Sequence, residues 1–217
     1  MPPSRGSGAP GRDCQRCPRL AAFRKTWRTS EPDWFNAPVD SFGPQDARLL
    51  IVGLAPGLRG ANRTGRPFTG DYAGDLLYAT LSGFGFARGA YQARPDDDLE
   101  LIDCRITNAV RCVPPENKPT PLEITTCRQF LSATIEEMPR LRAVVALGRV
   151  AHETFLAAQA ARRSSFPFTH GSVHAIGTLQ LFDSYHCSRY NTNTGVLTPQ
   201  MFRDVFARVC QQLAVGA

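Results

Sequence analysis

Lysine is nearly missing from this chain of 217 residues: Lys25 and Lys118 are the only two, so the formal charge of +6 rests on arginine. A basic domain attracts a polyanion, and does so less at high salt. Genomic base composition also enriches arginine, so charge alone does not name the partner. No stretch approaches the ~18 consecutive apolar residues of a membrane span, and no membrane partner is expected. The opening MPPSRGSGAPGR lacks the apolar segment of a signal peptide. Residues 1–12 are therefore expected to be a disordered tail, 13–217 a single domain, and the protein cytoplasmic. No Gly-Lys-Ser/Thr follows a glycine-rich turn and the dinucleotide spacing of glycines is absent, which excludes both common phosphate-cradling motifs. No internal repeat is visible.

What is present alternates between strand and helix. Short apolar runs at 48–52, 99–110, 142–148 and 178–183 read as strands, the first and third as buried parallel ones. Helical periodicity follows at Ala73–Phe84, from Thr120 toward Met138, at Arg149–Ala161 and at Pro199–Leu213. Thr120, Pro121 and Glu123 form a capping signature, and Thr198 caps the last helix. Four such alternations predict an α/β three-layer sandwich: a central four-stranded parallel sheet with helices on both faces.

The most informative stretch is GLAPGLRGANRTGRPFTGDYAGD, Gly53 to Asp75. Connections in compact α/β folds usually run about 2–6 residues, and a much longer one is functional or disordered. Pro56 and Pro67 stiffen this one, and Phe68 is an odd residue for an exposed tip. Open α/β sheets bind ligands at the carboxyl ends of their strands. The loop offers Arg59, Arg63, Arg66, an aromatic and the acid Asp71, an inventory suited to an anionic partner with a flat, stackable group. Nucleic acid fits. Asp71 also stands where a cap for the following helix would. Asn108 leaves the second strand, and SYHCSRYN, Ser184 to Asn191, leaves the fourth, so three polar loops share one sheet edge.

Seven cysteines in such a chain do not suggest a disulfide framework. Cys14 and Cys17 form a CxxC, while Cys112 and Cys127 stand far downstream with 14 residues between them. The pair lacks the βαβ context of a redox motif; zinc or an iron–sulfur cluster remain open, either one stapling the amino-terminal arm to the body. Cys104, Cys187 and Cys210 read as packing residues. His152 reads as a surface or packing residue, and His170 and His174 show no interpretable spacing.

GLAPGLRGANRTGRPFTGD, TNAVRC and SYHCSRYNTNTG, together with the four cysteines, resemble the uracil-DNA glycosylase superfamily and most closely its family 5, the iron–sulfur type. The resemblance runs from Cys14 to nearly the end. It implies that Cys14, Cys17, Cys112 and Cys127 ligate a 4Fe–4S cluster. It implies hydrolysis of the N-glycosidic bond of uracil, and of other deaminated bases such as hypoxanthine or xanthine, flipped from double- or single-stranded DNA by a monomer. Catalysis would rest on Asp71, His186 and Asn108. The base would sit against Phe68, Ala55 and Gly57, with Asn108 on its Watson–Crick edge and His186 at O2. Arg59, Arg63, Arg66, Ser188, Arg189 and Tyr190 would meet DNA. Other families place an acid or amide in the first turn of the loop; Leu54 and Ala55 cannot do that work here, which leaves Asp71.

Overall fold

The computed structural model describes residues 8–215. In chain order they form α1 (Pro18–Ser30), β1 (Leu49–Gly53), α2 (Ala61–Thr64), α3 (Tyr72–Gly83), β2 (Ala87–Arg88), β3 (Glu100–Leu101), β4 (Cys104–Asn108), α4 (Pro121–Glu136), β5 (Ala143–Leu147), α5 (Arg149–Ala158), β6 (Val173–Ile176), β7 (Leu179–Ser184), α6 (Arg189–Asn193) and α7 (Pro199–Val215). The main sheet runs β4-β1-β5-β7-β6. Its first four strands are parallel, and β6 pairs antiparallel with β7.

β1 and β5 are buried along their whole length, as apolar strands covered on both faces must be. Alternate residues divide between the two faces. Leu49, Ile51, Val145 and Phe182 pack with Leu77, Leu81, Phe202 and Phe206 of α3 and α7. Leu50, Val52, Val144 and Leu181 pack with Leu131, Phe155 and Leu156 of α4 and α5. Each such side chain contributes about 1.5–3 kcal/mol by leaving water. The α4 terminus carries the expected capping box: Glu123 N donates to Thr120 Oγ1 and Thr120 N to the Glu123 carboxylate. The Thr198 hydroxyl accepts from Met201 N at the start of α7.

The expected sheet of four parallel strands is corrected to five strands of mixed direction. β6 escaped notice because it is four residues long, edge-lying and only partly buried, and is joined to β7 by a tight turn at Gly177 (φ 60°). The single strand expected over 99–110 is broken at Asp103 (φ 52°), whose carboxylate accepts from Arg48 N and Arg48 Nε, so β3 leaves for a small hairpin with β2. Of the segment 1–12, residues 1–7 lie outside the described residues. Gly8 N donates to Glu137 Oε1 and Arg12 O accepts from Arg28, so 8–12 lies against the body.

Candidate active site

β1, β4 and β7 run parallel, so their carboxyl ends and the loops that follow meet on one sheet edge. There they enclose a cleft of about 560 Å³. Leu54, Ala55, Pro56, Gly57, Phe68 and Asp71 line it from the first loop, Asn108 from β4, and His186, Ser188 and Arg189 from the third. Asn117, which sequence reasoning passed over, lines it from the proline-rich segment before α4. Its signal is conformational: Glu116 and Asn117 both have positive φ (54° and 57°), a costly pairing for residues with a Cβ.

Phe68 forms the floor. It is buried, has φ 53°, and stacks on His186 with ring centroids 5.9 Å apart. Strain of this kind persists only where surroundings over-determine it. Tyr78 donates to Pro67 O at 2.6 Å and Tyr91 to Phe68 O at 3.2 Å, which fixes the backbone on both sides of the ring's Cα. Gly53 is required above it: a Cβ there would lie 2.4 Å from Asn108 Oδ1 and 2.6 Å from Phe68 Cζ. Asn108 itself is buried, and its Oδ1 has no hydrogen-bond partner. A buried acceptor left unpaired costs about 1–3 kcal/mol, so the site holds an amide that a bound donor would satisfy.

Asp71 serves twice. Its Oδ1 accepts from Gly74 N at 3.3 Å, capping α3. Its Oδ2 lies over Gly57 and Gly60, where a Cβ at Gly60 would come within 2.3 Å. Burial raises the Asp71 pKa above the ordinary carboxylate range, partly offset by the N–H groups of Gly74 and Ala73. Burial pushes His186 down to about 4, so its imidazole is neutral at pH 7. Among the described residues its ring nitrogens have no hydrogen-bond partner, and Asn191 Nδ2 donates to its backbone oxygen at 2.8 Å. A neutral N–H donor and an acid with unused capacity thus face one cleft.

The proposed DNA contacts divide. Arg59 and Arg63 are exposed on the first loop, while Arg189 borders the cleft and lies 5.4 Å over the Tyr72 ring. Tyr190 is 74% exposed, and Ser188 accepts from Asn191 N to start α6. Arg66 must be withdrawn. It is buried, makes a bidentate pair with Asp97 at 2.6 and 2.8 Å, and sits among Phe42, Tyr78 and Tyr91. Its guanidinium anchors the loop and cannot reach a phosphate.

Residues 40–210 match the family model described as uracil DNA glycosylase superfamily. The chain belongs to that superfamily. It is similar to proteins named Type-5 uracil-DNA glycosylase from Thermus thermophilus, 46% identical over 199 residues (88% of this chain, 90% of that protein), and from Pyrobaculum aerophilum, 38% identical over 200 residues (90% and 87%). The protein of the same name from Mycobacterium tuberculosis is 41% identical over 210 residues (93% and 78%). In fold it is similar to the crystal structure of wild-type Pedobacter heparinus SMUG2, with a TM-score of 0.50 at 16% identity over 78% of this chain and 76% of that one.

Two further clusters mark this superfamily member. Cys14, Cys17, Cys112 and Cys127 line one small cavity with Leu20, Arg24, Arg111 and Phe130. All four are free thiols. Burial raises Cys112 to about 12 and Cys127 to about 11. Unaided they stay protonated, and a bound cation is what draws such thiols into thiolates. Arg24 donates to Cys112 Sγ at 3.1 Å and Arg111 N to Cys127 Sγ at 3.3 Å, the contacts that stabilise a thiolate.

The second cluster is His152, His174 and Asp183, whose donor atoms lie within 4.8 Å of one another. His152 Nδ1 is 2.7 Å from Asp183 Oδ1, His152 Nε2 is 2.9 Å from Phe166 O, and His174 Nε2 is 3.2 Å from Asp183 Oδ2. These are hydrogen-bond lengths; about 2.0–2.2 Å to a shared ion would hold N and O farther apart than 2.7 Å. His152 is buried, in accord with a packing residue, and the network ties α5 and β6 to the strand that delivers His186.

Proposed function

We propose that this superfamily member is a DNA-repair glycosylase that hydrolyses the N-glycosidic bond of uracil in DNA and leaves an abasic site. The convergence of Asp71, Phe68, Asn108 and His186 on one cleft carries the reading. A base in duplex DNA must leave the stack to reach such a cleft, after which it is held by stacking and by hydrogen bonds to its edge. Phe68 stacks on it, with Ala55 and Gly57 against it, and the Asn108 amide meets its Watson–Crick edge. In hydrolysis the oxygen of water bonds to C1′ while the C1′–N1 bond breaks and its electron pair leaves with the base. His186 donates an N–H to the O2 on which that charge collects, a preorganised donor of the oxyanion-hole kind. Asp71 orients the water, takes its proton and faces the positive charge developing on the sugar.

Arg59, Arg63, Arg189 and Ser188 neutralise or bind phosphates, and Tyr190 enters the vacated stack. Because selection rests on stacking and an amide rather than on an acid in the Leu54-Ala55 turn, hypoxanthine and xanthine are included among the substrates. The same proposal takes the enzyme as a cytoplasmic monomer acting on double- or single-stranded DNA; free cysteines suit a reducing compartment.

A 4Fe–4S cluster on Cys14, Cys17, Cys112 and Cys127 belongs to the proposal. The four cysteines line one small cavity, a set of thiol donors that suits such a cluster. When bound, the group supplies a rigid cross-link between α1, the proline-rich segment and α4. Purified protein incubated with a uracil-containing duplex and then with alkali should give a strand break at the uracil; intact strands would overturn the glycosylase reading.

A further inference from the structure

Arg24 and Arg111 are each 2% exposed, and among the described residues neither forms an ion pair. A buried cation without a counter-charge is costly, and is normally paired or matched to a bound ion. Arg24 reaches inward from α1: one terminal nitrogen donates to Cys112 Sγ at 3.1 Å and another to Cys14 O at 2.8 Å. The nearby Asp13 is exposed and engaged with Arg28 at 2.6 Å. Arg111 comes from the body, one residue before Cys112. Its backbone N–H faces Cys127 Sγ, and its guanidinium donates to neutral acceptors: Val39 O, Ser41 Oγ, Phe130 O and Thr134 Oγ1. Asp40 and Glu137 act on it from farther off, and Arg105 shares both.

Two buried positive charges therefore border the cavity that four cysteines line. Neutral thiols do not balance them. Four thiolates on a core of charge about +2 carry an excess of roughly two negative charges, which does.

We infer that Arg24 and Arg111 are the counter-cations of the cysteine-bound cluster, one supplied by the amino-terminal arm and one by the body. This rests on the cluster proposed above. The charge that closes the arm onto the body is then the group's own. The same two cations favour any form of the group with an added electron, so removing one makes it harder to reduce.

The test separates charge from hydrogen bonding. Arg24→Gln keeps a donor near Cys112 and loses the cation; Arg24→Lys keeps the cation. Iron per protein and the midpoint potential of the cluster by film voltammetry are measured on both and on wild type. The expected result is a more negative potential, or lost iron, in Arg24→Gln, with wild-type iron content and a near-wild-type potential in Arg24→Lys. An unchanged potential in Arg24→Gln with iron retained would overturn the inference, as would equal loss of iron from both variants. Wild-type protein without iron would bring down the cluster itself, and this inference with it, while leaving uracil excision standing.

Discussion

Asp71→Asn is the sharpest perturbation the structure offers, because it separates the cap that Asp71 forms from the catalytic role proposed for it. Asn and Asp are near equals as N-caps, so the bond from Gly74 N survives and the cost at the cap stays within a few tenths of a kcal/mol. Loss of a negative charge at the start of α3 costs about 0.3–1 kcal/mol more. Against this stands the burial that raises the Asp71 pKa. Its folded pKa lies above the unfolded value, so the folded state holds that proton more tightly. The stability this brings is complete below the unfolded pKa and is lost as pH rises through the folded one. At pH 7–8 the ionised carboxylate is a burden that Asn removes, and the net change is expected to stay within about 1 kcal/mol.

Chemistry should respond very differently. Removing a general base costs about 10²–10⁴ in rate. Single-turnover cleavage of a uracil duplex isolates that step from slow product release. The wild-type rate should rise with pH through the elevated Asp71 pKa, and His186, neutral above about 4, should add no limb near the usual histidine value. Asp71→Asn should flatten the acid limb while binding to abasic-site DNA stays near wild type. Cleavage at the native rate, or a stability loss of several kcal/mol, would show that the carboxylate is a structural cap alone.

Arg63→Ala should reduce the log–log salt slope of DNA binding by roughly 0.9, one phosphate contact, whereas Arg66→Ala should leave the slope alone and destabilise by about 3–5 kcal/mol in urea titration, since it strands Asp97. Gly53→Ala should abolish uracil binding in a folded protein, as judged by circular dichroism and fluorescence titration with abasic or uracil DNA, because its Cβ collides with Asn108 and Phe68. Asp183→Asn should lower thermal stability by the cost of one buried donor left without its acceptor, about 1–3 kcal/mol, and slow cleavage by loosening the β7 exit; unchanged melting would refute the tie between His152, His174 and the His186 loop.

Much of the molecule is written in short-range pattern. The apolar runs of β1 and β5, the Thr120-Pro121-Glu123 cap and the overlong loop before α3 are each local, and each was legible because burial and capping act within a few residues. Motif likeness placed Asp71, Phe68, Asn108 and His186 together, and parallel strands explain why three distant loops meet. Other features depend on partners remote in sequence. Arg59, Arg63 and Arg66 look alike in the chain, and only the approach of Asp97 through the Tyr91 loop makes Arg66 a buried anchor rather than a phosphate contact. β6 is four residues long and lies at the sheet edge, too short to carry a hydrophobic period, so its pairing with β7 is decided by the edge itself. The histidines at 152 and 174 acquire meaning only when α5 and β6 bring them to Asp183. Spacing shows that four cysteines could share a site; folding alone shows that two arginines, buried and without an ion pair among the described residues, lie beside them, because charge balance is a property of the packed interior and not of the chain.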